Sequence, residues 1–149
     1  MTRPVLRLAG QGRALAIGPT RAVIKLAGAE AAGRLGAVEM EFGPGFAGPP
    51  PHRHRDTDHL WYVLAGQLDV TIGGQRRVLG PGDFAFIPRG IPHAFANPGA
   101  APARLLEVDT PRPLDGYLAE LAAAFPAGTA VDQAAVAAIQ RRHDTLPAG

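Results

Sequence analysis

Residues 51–66, PHRHRDTDHLWYVLAG, place three histidines, His52, His54 and His59, within eight positions of one another. On an extended strand, side chains two apart share a face, so His52 and His54 point one way and Arg53 and Arg55 the other. After a short polar turn, His59 opens an apolar run. Alternation from it puts Trp61 and Val63 on the histidine's side and Leu60, Tyr62 and Leu64 opposite. A fourth histidine, His93, stands in a second patterned stretch, GDFAFIPRGIPHAFAN at 82–97, where alternation brings Phe95 and Asn97 to its face. A lone histidine is usually solvated or a hydrogen-bonded core residue. Four imidazoles able to converge on one spot point instead to a metal site. His143, in RRHDT, has no such company and is expected to be solvated.

The two stretches resemble the two motifs of the cupins. Gly82, Pro88, Gly90, His93 and Asn97 match the second motif, G-x5-P-x-G-x2-H-x3-N, in full. The first motif is matched by His52, His54 and Gly66, with His59 six residues before the glycine, where the family usually has Glu. Fifteen residues separate the motifs, as in short single-domain cupins, and within those the chain most resembles the quercetinase-like proteins. The resemblance covers roughly residues 20–125. It implies an all-β fold, a double-stranded β-helix or jelly-roll barrel, with a short C-terminal helical segment lying against it.

The rest of the chain reads compatibly. Short apolar runs at 5–8 and 14–17 predict short strands or arms, and 22–27 and 35–42 predict strands. The second of these carries Val38, Met40 and Phe42 on one face and Glu39 and Glu41 on the other, the carboxylates toward solvent. GPGFAGPPP at 43–51 cannot hold regular structure and forms a stiff approach to His52. Strands at 68–72 and 75–79 form a hairpin across Gly73-Gly74, whose residues suit the positive φ of a tight turn. Residues 84–87, a strand beginning at His93, and 104–108 follow; short strands between turn signals this regular suggest an antiparallel sandwich or barrel. Beyond Thr110, Leu114, Tyr117, Leu118, Leu121 and Phe125 recur at helical spacing. Thr129 and Asp132 suggest a capping box before a second helix carrying Val136 and Ile139 and ending at Arg141-Arg142. The expected organisation is a barrel over 1–110, its core about 20–110, with a helical extension over 111–149.

A chain of 149 residues suits one domain. With no cysteine, imidazole and carboxylate are the available metal ligands, and disulfides, Fe–S clusters and thiolate sites are excluded. The net charge is only +2 and fourteen of the fifteen basic residues are dispersed arginines, so no basic stripe with exposed aromatics speaks for nucleic acid. No stretch has the length of a membrane span and the N-terminus lacks a signal-peptide core; a cytoplasmic protein with no membrane partner is expected. Apolar residues on both faces of 60–64 imply a covered outer face, by N-terminal strands or by a second subunit in a homodimer.

Four neutral imidazoles leave the charge of a divalent transition metal, one Fe, Mn, Ni, Cu or Zn per chain, uncompensated. They favour an anionic or enolisable small-molecule substrate bound as an oxygen chelate. Asp58 is the alternative to His59 as third ligand, but strand alternation turns it away when His59 faces inward. Trp61 and Phe95 would line the substrate pocket or simply pack the barrel. In quercetinase-like enzymes the motif glutamate is thought to accept the substrate's proton, and here it is missing. The resemblance implies an oxygenase acting on a substrate that arrives ionised. The alternatives are a redox-neutral isomerase, lyase or cyclase, and a non-catalytic binder of metal and small ligand.

Overall fold

Glycine and proline interrupt the chain so often that no strand exceeds eight residues. In the computed structural model, which describes residues 3–149, eleven strands, two α-helices and a 3-10 turn at Gly28–Ala31 result. The strands are β1 (Arg13–Ile17), β2 (Thr20–Leu26), β3 (Gly36–Phe42), β4 (His52–His54), β5 (Asp58–Ala65), β6 (Leu68–Ile72), β7 (Gln75–Leu79), β8 (Phe84–Ile87), β9 (His93–Ala96), β10 (Ala103–Thr110) and β11 (Thr145–Pro147). The helices, α1 (Asp115–Ala124) and α2 (Gln133–Gln140), lie between β10 and β11.

The strands form two antiparallel sheets, ordered β1-β2-β3-β10-β5-β8 and β11-β4-β9-β6-β7. Their facing surfaces carry the alternate apolar residues that the period of two assigns: Val38, Met40 and Phe42 from β3, Trp61 and Val63 from β5, Leu68 and Val70 from β6, and Leu105 from β10. This is the jelly roll expected from the sequence. α1 contributes buried Tyr117, Leu118 and Leu121, and α2 contributes Val136 and Ile139, so both helices bury an apolar side in the same core.

Register carries the chemistry from one strand to the next. β4 and β9 meet at a single pair, His52 opposite His93. Along β5 and β10, His59 stands opposite Asp109 and Trp61 opposite Glu107. Directly opposed residues have neighbouring Cβ atoms, so both pairs of side chains are close by construction.

The 43–51 loop is pinned as its composition predicts. Buried Asn97 donates from Nδ2 to the carbonyls of Phe42, Gly43 and Ala101 at 2.8–3.1 Å, which accounts for this motif residue as a clamp on the loop. Gly48, at φ +80°, passes so near β9 that a Cβ there would sit 1.8 Å from the Phe95 carbonyl oxygen. The approach to His52 is therefore held against the strand that carries His93.

Several expectations are corrected. Residues 5–8 are not among them: of the strand or arm expected there, the chain forms the arm, with Leu6 and Leu8 exposed and Arg7 reaching Glu30. β1 and β2 extend the first sheet beyond β3, at the opposite end from β8, and do not cover the outer side of β5. Asp132 alone caps α2, accepting from the Ala134 N–H, while the Thr129 hydroxyl donates to the Pro126 carbonyl. His143 is not solvated: it is half-buried and its Nε2 lies 2.6 Å from Glu120 Oε2, which ties α1 to the segment after α2. β11 is also unforeseen, and it pairs with β4, so the end of the chain flanks two of the four histidines. Among the described residues, no helix is long and apolar enough to cross a membrane.

Candidate metal centre

The alternation read from the sequence holds on β4 and β5, which supply three of the four histidines; the fourth, His93, is buried at the start of β9. His52 and His54 are buried with exposed Arg53 between them, and His59, Trp61 and Val63 are buried while Tyr62 is exposed. His52, His54 and His93 each bring a ring nitrogen to within 4.8 Å of the others. His59 packs against them, with ring centroids 4.3 Å from His54 and 5.3 Å from His93. Asp58, the alternative ligand, faces outward, where its carboxylate accepts from the Arg89 backbone N–H and guanidinium at 2.8–3.0 Å. Those bonds hold its pKa below the ordinary carboxylate value. Glu39 is also on the outside, paired with Arg104 and Lys25.

Each histidine has its Nδ1 tied to a neighbouring group. His52 Nδ1 lies 2.8 Å from the Pro50 carbonyl, His54 Nδ1 3.1 Å from that of Asp144, and His93 Nδ1 3.0 Å from that of Ile91. A carbonyl only accepts, so these three Nδ1 atoms carry the proton and each Nε2 keeps a free lone pair. The His93 Nε2 is buried with no hydrogen-bond partner. His59 Nδ1 contacts Asp109 Oδ1 at 2.6 Å, the carboxylate–imidazole pairing that commonly orients a metal-bound histidine. Burial pushes His52 down to about 4, His54 to about 2 and His93 to about 3, and lowers His59 as well. Neutral buried imidazoles that keep a free Nε2 lone pair, one of them orphaned, fit a borderline divalent transition metal.

The centre sits at one side of a cavity of about 570 Å³ between the sheets, roofed by α1, α2 and the segment between them. Trp61 and Phe95 line it, their rings 5.2 Å apart and nearly perpendicular. Most of the remaining wall is apolar, from Met40, Phe42, Phe46, Leu118, Leu121 and Val136.

Two buried carboxylates were not anticipated as part of the site. Glu107 lines the cavity, and its Oε2 accepts from Trp61 Nε1 at 2.5 Å. Asp109, one position further along the same face of β10, orients His59. Burial, with Asp109 adding repulsion, pushes Glu107 up to about 7; burial pushes Asp109 up to about 8. The available signal was parity: Leu105, Glu107 and Asp109 share a face of the strand.

Comparison with known proteins agrees with this geometry. A family profile described as a cupin domain matches residues 38–109. Quercetin 2,3-dioxygenase of Bacillus subtilis is 35% identical over 92 residues, 62% of this chain and 27% of that protein. The mannose-1-phosphate guanylyltransferase ManC of Salmonella typhimurium is 44% identical over 57 residues, 38% of this chain and 12% of its own length. The chain thus spans only a minor part of these relatives. Among solved structures, the polyketide cyclase RemF from Streptomyces resistomycificus superposes with a TM-score of 0.60 at 30% identity, covering 74% of this chain and 80% of that one. With the two motifs placed on paired strands of a jelly roll, β4 beside β9 and β5 beside β8, and a relative of this identity matched over most of its length, the chain belongs to the cupins.

Proposed function

We propose that the protein is a metal-dependent enzyme of the oxygenase type. It holds one divalent transition metal through His52, His54, His59 and His93 and acts on a small enolisable or anionic oxygen chelate with a bulky apolar body. One observation carries this reading: four imidazoles with their Nδ1 atoms tied back stand beside a mostly apolar cavity of about 570 Å³. That volume suits a ring-bearing organic molecule. The aromatic walls, including Trp61 and Phe95, would hold its body while its oxygens face the centre. When bound, the ion supplies Lewis acidity toward those oxygens. The similarity to quercetin 2,3-dioxygenase supports oxygenation as the outcome.

A redox-neutral cyclisation is the second reading, favoured by the likeness to RemF, which extends over most of both chains. Oxygen uptake separates the two. Protein purified without a histidine tag and loaded with Fe, Mn, Ni, Cu or Zn in turn is given flavonols, enolisable diketones and hydroxyketones. Substrate-dependent oxygen consumption by about one metal per chain supports the oxygenase. Product formation without oxygen consumption supports the cyclase, and failure to retain any metal overturns both.

The working form is a homodimer. Tyr62, Phe84 and Phe86 are 44%, 58% and 53% exposed on one continuous outer face of β5 and the edge strand β8, and no strand of the described residues lies over them. A second copy would cover the aromatic face and the open edge together.

A further inference from the structure

The glutamate of the first cupin motif is replaced by His59, yet Glu107 is the only carboxylate among the residues lining the cavity. It reaches the wall from β10, a strand outside both motifs. Its Oε2 is held by Trp61 Nε1 at 2.5 Å. Among the described residues no donor engages its Oε1, which is left to the cavity. Trp61 in turn is fixed by burial, 1% exposed, and by the rings of His93 and Phe95 at 5.6 and 5.2 Å. The remaining polar side chains on the wall are the hydroxyls of Thr20, Tyr117 and Thr129, the Gln133 amide and the histidines themselves. None of these is a free base once the histidines hold a metal. Asp109 does not line the cavity.

We infer that Glu107 is the proton acceptor for the bound substrate, with Trp61 as the residue that positions it. The inference rests on the proposed binding of an enolisable oxygen chelate. In the step, a C–H bond next to the substrate carbonyl breaks and its proton passes to Glu107 Oε1. The electron pair enters the adjoining O–C–C system to give the enolate, and no oxidant is consumed. The carboxylate function lost at position 59 is thereby supplied from a different strand. A substrate need not arrive ionised.

Phenacyl alcohol, a hydroxyketone with an apolar ring, tests the assignment in deuterated buffer, with proton NMR following deuterium entry at its CH2. Metal content and probe affinity are measured on the same samples. Wild-type protein is expected to bind the probe and catalyse exchange. Glu107→Gln is expected to keep its metal and bind the probe within about threefold of wild type while losing exchange by about a hundredfold or more, the range of a general base. Trp61→Phe, which keeps a ring and removes the N–H, is expected to lower the exchange rate at saturating probe about tenfold. Glu107→Asp guards against misfolding of the first variant: it keeps the charge but withdraws it by one methylene, and it too should exchange slowly. Exchange within about threefold of wild type in metal-loaded Glu107→Gln or Glu107→Asp overturns the assignment. Wild-type protein that binds the probe without exchange overturns Glu107 as base and leaves the chelate site standing. Wild-type protein that holds metal but does not bind the probe overturns the chelate reading and this inference with it.

Discussion

His54 and Asp144, ninety positions apart in sequence, meet where the His54 Nδ1 proton points at the Asp144 carbonyl oxygen, 3.1 Å away. The Asp144 side chain serves the same region: its carboxylate accepts from the Asp56 N–H and the Thr57 hydroxyl, both at 2.8 Å at their closest, in the turn that joins β4 to β5. One residue near the end of the chain thus orients a proposed ligand and braces the turn between β4 and β5. Asp144→Ala should lower stability by about 1–3 kcal/mol, the cost of leaving buried donors unpaired. It should also weaken metal binding roughly tenfold by loosening the His54 surroundings. Chemical denaturation of the metal-free protein and competition with a chelator read the two effects separately, and metal affinity equal to wild type would confine the Asp144 side chain to bracing the turn.

His59→Ala tests the fourth ligand directly. Metal affinity is expected to fall well beyond that of Asp109→Asn, which removes the carboxyl behind the ring but leaves an acceptor for its Nδ1, for an expected loss of about 10–100-fold. If His59→Ala protein keeps full metal content and affinity, the centre has three histidines and the His59–Asp109 pair is only a neighbour.

Glu107 also sets a pH dependence. It faces Trp61 and His59 from β5 and has Asp109 on its own strand and Tyr117 on α1 nearby. Its pKa is raised in the folded protein, from 4.5 to about 7. The contribution is therefore fully present below the unfolded value and is lost as pH rises through about 7. Relative to wild type, metal-free Glu107→Gln should gain stability between pH 4.5 and 8, on the order of 3 kcal/mol in all. Urea denaturation of both proteins across that range measures the difference, which should be flat if Glu107 is already ionised in the fold.

Replacing Phe84 and Phe86 together by Ser removes most of the aromatic area of the outer face without touching the cavity, since neither residue lines it. Light scattering at micromolar concentration should show a dimer for wild type and a monomer for the double variant. A monomeric wild type would leave the exposed aromatics to another role.

The four histidines were legible because each lies on a strand whose alternation is unambiguous: polar or charged residues separate the inward positions of HRH, and turn residues set the phase before His59 and His93. The carboxylate pair on β10, Glu107 and Asp109, was not. In ARLLEVDT, Leu106 and Val108 are as apolar as Leu105, so the sequence does not say whether Glu107 and Asp109 point inward; pairing with β5 decides it. β11 is three residues ending in a proline, too short for any local signal, and exists because β4 offers an open edge. The cavity itself is formed jointly by two sheets and two helices, which no local pattern reports. His59 in place of the motif glutamate was visible at once, whereas the carboxylate beside it could be seen only after the strands were paired.

Trp61 is the only tryptophan in the chain, and it stands between two proposed ligands and the cavity wall. Light absorbed at 295 nm is therefore emitted from the centre of the site, with no background from elsewhere in the protein. A bound paramagnetic ion would quench that emission, and a ring stacked in the cavity would shift its colour. The protein carries its own optical probe at the place where metal and substrate are proposed to meet.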